Sequence, residues 1–407
     1  MRGDRATEDL AGIRPTAACP GLRKAASVLR LSGHGRTGAG IEGCGPRGNG
    51  AVGPKDLWRR SGVAAEAAGA AECPGPVRDG ERVRHATMSG ENDREGKAAR
   101  SEKTVAILLS TYNGERYLPE QLASFEAQSY PHWRLLWRDD GSEDGTRVLL
   151  RAFADRVGEA RCREVTGQDG RLGVQASFLW LLQGAQDYPF VAFADQDDVW
   201  LPEKLARAVR YMEGKEGDAP SLYCGRQLLV DETLRPLRLS PSFRADLPFP
   251  APLAQNIATG CTMLLNRAAC RAIAPTRPPE ASVHDWWCYI VVTALGGRVF
   301  FDDTPSILYR QHAHNVIGAA NTRLRVWRAL HKKPASVLRI IDAHAGAVED
   351  SVVGVPRDTL AKLTRLRQAL RGSFGKRIMF VLGGNLRRQR LSESLLLAFW
   401  VLAGGPV

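Results

Sequence analysis

Three apolar runs, each closing on a polar cluster, constrain this chain more than any other feature. Val105–Thr111 runs into Tyr112-Asn113-Gly114, Trp133–Arg138 into Asp139-Asp140-Gly141-Ser142, and Phe190–Ala194 into Asp195-Gln196-Asp197-Asp198. Apolar runs rich in β-branched or aromatic residues and bounded by Gly, Asn or Asp read as strands entering turns. Between them, Leu118–Gln128, Thr146–Val157 and Phe178–Gly184 carry helical spacing, and Pro202 opens a helix running to about Met212. The alternation predicts an open, mostly parallel α/β sheet with flanking helices. Ligands of such sheets lie outside the carboxyl ends of the strands, so Ser110–Asn113, Asp139–Ser142 and Asp195–Asp198 are expected on one edge. Further on, Ala160–Thr166 and Leu222–Val230 read as strands. Asn256–Asn266 reads as a Gly-Cys turn entering a strand, and His284–Ala294 as a helix. Arg298–Phe301 and Ile307–Arg310 read as short strands.

The flanks differ from this centre. Residues 1–100 hold 18 of the 41 glycines and keep no period, so they are expected to be a disordered, low-complexity extension. The hypothesis follows that translation starts at Met88, which an intact mass beginning near Met1 would overturn. Net charge is +5 over 1–100, −4 over 101–320 and +11 over 321–407, within a total of +12. The expected organisation is an extension, a catalytic α/β domain at 104–320, and a basic helical tail at 321–407. Leu391–Ala403 is too short to span a bilayer comfortably and suits a packed or interfacial helix. The basic tail suggests peripheral contact with an anionic membrane, on the inner face of a cytoplasmic membrane. Nucleic-acid binding is not expected, because the centre is net negative and no recognition motif is present. Eight cysteines without a C-x-x-C pair predict free thiols in a reducing compartment rather than a disulfide scaffold or zinc cluster.

Four groups carry chemistry. Asp195, Asp197 and Asp198 repel one another at a strand end and call for a hard divalent cation, Mg²⁺ or Mn²⁺, shared with a substrate diphosphate. Alternatively they form a solvated acidic loop. A carboxylate in Asp139–Asp144 can accept the N3–H of a uracil or thymine ring, with Ser110, Thr111, Tyr112 and Asn113 flanking the base. The same segment also suits a helix N-cap. In His284-Asp285-Trp286-Trp287, Asp285 is either a general base in a partly dry site or a helix N-terminal acid. After the last strand, His312 is a candidate further ligand for the metal, and Arg310 a partner for phosphate.

Taken together these residues resemble the inverting glycosyltransferases of family 2, and among them bacterial rhamnosyltransferase-like members. The resemblance rests on Val105–Gly114, Tyr117-Leu118, Gln121-Leu122, Ser124 and Gln128-Ser129-Tyr130, and on Arg138–Thr146. It continues through Phe193–Trp200, Thr259-Gly260-Cys261, His284-Asp285 and Tyr309–His312. It implies a GT-A fold and a nucleoside-diphosphate sugar donor, dTDP- or UDP-linked. Thr111, Tyr112, Asp139 and Asp140 would then bind base and ribose, Asp195 would sit near ribose and metal, and Asp197 would ligate the metal. Asp198, Gly260, Cys261 and Trp286 would face the acceptor, and Asp285 would be the base. The preferred expectation is transfer of L-rhamnose from dTDP-rhamnose to a cell-surface glycan or lipid-linked acceptor in bacterial envelope polysaccharide biosynthesis. The alternatives are a UDP-hexose or UDP-N-acetylhexosamine transferase, a nucleotidyltransferase on a similar sheet, and an inactive relative serving as an assembly partner.

Overall fold

The computed structural model describes residues 104–168, 170–213, 219–312, 334–384 and 386–404. The extension at 1–100, the start at Met88, and residues 321–333 of the basic tail lie outside the described residues.

The strands are β1 (Val105–Thr111), β2 (Trp133–Asp139), β3 (Cys162–Glu164), β4 (Phe190–Ala194), β5 (Val199–Trp200), β6 (Ser221–Gly225), β7 (Leu228–Val230), β8 (Pro236–Leu239), β9 (Leu264–Asn266), β10 (Arg298–Asp302) and β11 (Ile307–Arg310). The α-helices are α1 (Leu118–Glu126), α2 (Thr146–Val157), α3 (Val174–Ala185), α4 (Lys204–Met212), α5 (Arg267–Ile273), α6 (His284–Ala294), α7 (Pro334–Ser351), α8 (Arg357–Arg371), α9 (Phe374–Leu382) and α10 (Leu391–Ala403).

Seven strands form one sheet in the order β10-β6-β9-β4-β1-β2-β3. It is parallel except at β9, which runs antiparallel to both β4 and β6. β1 and β4 are almost wholly buried, as central strands covered on both faces must be. Alternate side chains of β1 enter different cores. Val105, Ile107 and Leu109 pack with α1, α2 and α4, whereas Ala106 and Leu108 pack with α3, α5 and α6. Helices α7 to α10 add Leu338, Ile341, Leu363, Leu366, Leu397 and Trp400 to this second core.

The expected strand Leu222–Val230 is two strands. β6 belongs to the large sheet, and β7 belongs to a smaller sheet of order β5-β11-β7-β8. The crossing occurs at Gly225-Arg226, where Arg226 donates its N–H to the Asp302 carbonyl at 3.0 Å. A Cβ on Gly225 would come within 3.2 Å of that same oxygen. The expected helix at Phe178–Gly184 begins earlier, at Val174, directly after Gly173 with φ +80°. Pro202 precedes α4 rather than occupying its first turn, which starts at Lys204. The five cysteines among the described residues are free and buried. Among the described residues no helix is long and apolar enough to cross a membrane.

Candidate active site

Strand register brings the polar clusters together. Thr111 at the end of β1 pairs with Asp139 at the end of β2, and Leu109 pairs with Ala194, the residue before Asp195. Thr111 Oγ1 donates to Asp139 Oδ1 at 3.0 Å. Asp139 also accepts the Ser142 hydroxyl at 2.5 Å and the Ser142 N–H at 2.8 Å, so its carboxylate closes the β2 turn. The β1 turn is held from the third cluster. Gln196 accepts the Tyr112 N–H and donates to the Tyr112 carbonyl, both at 2.9 Å. Gly114 lies beneath this amide, and a Cβ there would stand 2.4 Å from Gln196 Oε1. Asn113 adopts φ +47°, a conformation its short polar side chain tolerates, and its Oδ1 accepts the Glu143 N–H at 2.9 Å.

Asp140 is buried and serves the loop before α3. It accepts from Arg138 at 2.5 Å, from Leu172 N–H at 2.6 Å and from Gly173 N–H at 2.7 Å. Burial alone would raise its carboxyl, but these donors outweigh burial and hold it below the ordinary range. The loop so fixed places the Arg171 guanidinium 3.9 Å from the centre of the Tyr112 ring. Tyr112 is half-buried and Arg171 exposed, so the pair forms a flat cationic wall beside the strand ends.

In the third cluster the acids divide. Asp195, Asp198 and the Cys261 thiol offer ligand atoms that all lie within 4.8 Å of one another. Asp197 instead meets His312, with Oδ2 2.7 Å from Nε2. Burial raises the Asp195 and Asp198 carboxyls, and the charges of their acidic neighbours raise them further. Burial likewise raises the Cys261 thiol. Asp198 Oδ1 accepts the Arg310 N–H at 3.2 Å, while its Oδ2 is buried without a hydrogen-bond partner among the described residues. Two clustered carboxylates with an unsatisfied oxygen, beside an Asp–His pair, form a donor set suited to a hard divalent cation. Beneath them Lys204 is buried over the Trp200 ring, and burial lowers its amine to about 8.

Asp285 stands at the first turn of α6. Its Oδ1 accepts the Trp286 N–H at 2.5 Å and Asn256 Nδ2 at 3.1 Å, and its Oδ2 accepts the Gly260 N–H at 3.0 Å. Burial pushes the carboxyl up to about 6, against the lowering effect of those three donors. It lies close enough to Asp195 for its charge to raise that carboxyl. His284 packs between Phe178 and Phe193, with ring centres 4.1 and 5.2 Å away, and burial lowers it to about 3, so it is neutral. Trp286 is half-buried, donates Nε1–H to the Pro252 carbonyl at 2.7 Å, and lies 4.6 Å from the His344 ring of α7. Trp287 turns into the core instead of lining the site.

The structure therefore brings together Thr111, Tyr112, Asn113 and Asp139 at the β1–β2 edge, with Ser110 half-buried beside them. Asp195, Asp198 and Cys261 form a second group, Asp197 and His312 a third, and Asp285, Gly260 and Trp286 a fourth. Arg310 is a correction. Its guanidinium is buried, donating to the Asp197 and Glu232 carbonyls and to Glu120, and stacked 4.5 Å from the Tyr117 ring centre. It is committed to the protein rather than to phosphate. Sequence reasoning missed Arg171, Asn256, Lys204 and His344, and gave Gln196 no role. Only Gln196 carried a local signal, its place inside the acidic turn.

Comparison with known proteins finds relatives for the central part of the chain. The description Glycosyl transferase family 2 matches residues 106–273. The dTDP-rhamnosyl transferase RfbG of Shigella flexneri is 24% identical over 226 residues, covering 52% of this chain and 74% of that protein. The UDP-Glc:alpha-D-GlcNAc-diphosphoundecaprenol beta-1,3-glucosyltransferase WfgD of Escherichia coli is 32% identical over 110 residues, covering 26% of this chain and 40% of that protein. The S. aureus TarS 1-349 structure in complex with UDP-GlcNAc superposes with a TM-score of 0.47 at 16% identity, covering 72% of this chain and 78% of that one. Residues 106–273 thus form a domain that matches glycosyltransferase family 2.

Proposed function

We propose that this enzyme transfers a sugar with inversion, L-rhamnose from dTDP-rhamnose, to a hydroxyl of a cell-surface glycan or lipid-linked acceptor. The observation that carries the reading is Asp285. Its carboxyl is pushed up to about 6 and fixed by three N–H donors beside the acidic turn. A base poised near operating pH and aimed by fixed donors suits proton removal from an alcohol. Asp285 takes the acceptor proton, and the hydroxyl oxygen attacks the anomeric carbon. The bond to the diphosphate oxygen breaks on the opposite face, so configuration inverts.

Thr111, Tyr112 and Asp139, with Ser110 and Asn113, flank the base and ribose. Asp140 acts through the loop that presents Arg171. Asp195 and Asp197 with His312 would hold Mg²⁺ or Mn²⁺, and Asp198 and the Cys261 thiol stand beside Asp195. When bound, such a cation offsets charge growing on the leaving diphosphate. Gly260 and Trp286 face the acceptor. Rhamnose is favoured because RfbG, named a dTDP-rhamnosyl transferase, aligns over 74% of its own length. WfgD, named for UDP-Glc, supports the second reading, a UDP-hexose donor. The acceptor would be met at an anionic membrane surface, with the enzyme peripheral on the cytoplasmic side.

Thermal melting with dTDP or UDP, each with Mn²⁺ and with chelator, tests the reading. Nucleotide at about 100 times its dissociation constant stabilises by about 2.7 kcal/mol. A metal-dependent shift, larger for dTDP, is expected. A larger shift with UDP selects the second reading, and none with either contradicts both.

A further inference from the structure

The described surface carries one concentration of uncovered apolar side chains. Thirteen large hydrophobic residues are exposed, and six of them lie on α9 and α10 or at their ends: Phe374, Met379, Leu382, Leu391, Leu395 and Phe399, each between 61% and 76% exposed. Their spacing makes two outward stripes. Leu391, Leu395 and Phe399 stand at i, i+4 and i+8 on α10, opposite the buried Leu397, Trp400 and Val401. Phe374 and Leu382 stand one face apart from the buried Arg377 and Phe380 on α9, with half-buried Ile378 between them. The two helices pack against each other. Isolated surface apolar residues need no explanation, but a paired stripe on adjoining helices does.

The charge around these stripes is of one sign. Residues 373–404 contain Lys376, Arg377, Arg387, Arg388 and Arg390 against the single acid Glu393. Arg377 donates inward to the Gly404 carbonyl, and Arg388 donates to the Ala254 carbonyl at 2.7 Å. Glu393 accepts from Gln255 at 3.2 Å. Lys376, Arg387 and Arg390 are exposed. A second copy of this face would set like charges against each other, which disfavours self-pairing. An anionic surface with an apolar interior matches both features.

We propose that the outward stripes of α9 and α10 lie in the interface of an anionic lipid leaflet, with Leu395 and Phe399 inserted and Arg387 and Arg390 at the headgroups. This deepens the membrane contact of the functional reading by naming the face that makes it. The helices would lie on the membrane and not span it, since none is long and apolar enough to cross.

The test is co-sedimentation of the full chain with phosphatidylcholine vesicles, with and without phosphatidylglycerol. The parent, a Leu395→Glu/Phe399→Glu variant and an Arg387→Glu/Arg390→Glu variant are compared. Binding is expected only with phosphatidylglycerol and should weaken with salt. The apolar variant should lose at least about tenfold in partition. The arginine variant should lose about fivefold for each charge removed. Nucleotide-dependent melting is measured on all three. Unchanged melting with lost sedimentation separates the surface from both the fold and the donor reading. Equal sedimentation of parent and variants, or none by the parent, overturns the proposal. A parent dimer in solution that the apolar variant dissociates would assign the face to a second copy and overturn it equally.

Discussion

Gly260 donates its backbone N–H to Asp285 Oδ2 at 3.0 Å, and the site has no room for a side chain at that glycine. A Cβ there would stand 2.7 Å from His284 Nε2 and 3.4 Å from Asp285 Cβ. His284 is wedged between Phe178 and Phe193, so the turn that carries Asp285 would have to move. A displacement of about 1 Å can cost on the order of 10²-fold in rate. Gly260→Ala is therefore expected to lower turnover by about that factor with nucleotide affinity unchanged. Steady-state turnover beside calorimetric nucleotide binding checks both halves.

The pH dependence follows from the same carboxyl. Asp285 must be ionised to take a proton, and burial places it at about 6. The acceptor kcat/KM should rise about tenfold per pH unit below 6 and level off above it. The stability effect has the opposite sign. The folded chain holds this proton more tightly than the unfolded chain, whose Asp titrates near about 3.9. The stabilisation is full below the unfolded value and is lost as pH rises through about 6. A pH series of initial rates and melting temperatures should show activity rising where this contribution to stability falls.

Arg310 is expected to act as a structural clamp. It is about 1% exposed and ties the acidic turn, Glu120 and Glu232 to the end of β11. Arg310→Ala removes hydrogen bonds to the Asp197 and Glu232 carbonyls and to the half-exposed Glu120, and should cost about 1–3 kcal/mol in urea unfolding. A phosphate-binding arginine would instead lose nucleotide affinity with stability intact.

Arg171 is expected to act on the nucleotide. Its stack on Tyr112 is exposed, where such contacts contribute about 0.5–1 kcal/mol. Arg171→Ala should lower ligand-free stability by no more than that amount and, by removing a cation beside the strand ends, weaken nucleotide binding by about two- to fivefold. Calorimetric titration beside a melting curve measures this.

The parallel sheet and its polar edge were legible because each signal is local: an apolar run, then Asp, Asn or Gly within a few positions. The helix that carries Asp285 was legible for the same reason. The division of labour within the acidic turn was not. Asp197 turns to His312, 115 positions away. Asp198 turns to the Arg310 N–H and the Cys261 neighbourhood. Nothing in Asp195-Gln196-Asp197-Asp198 itself says which acid meets which partner. The break at Gly225-Arg226 was hidden because Leu222–Val230 stays apolar on both sides while the chain changes sheets. His344 was invisible because its contact with Trp286 and its 2.9 Å bond to Ser282 depend on how α7 docks, 62 positions beyond Ser282.

The central claim is that Asp285 removes the acceptor proton. The most direct measurement is turnover of dTDP-rhamnose by the parent and by Asp285→Asn with Mn²⁺, alongside donor affinity for each. The account predicts a loss of at least about 10²-fold in turnover with donor affinity retained. A near-normal rate in Asp285→Asn would contradict it.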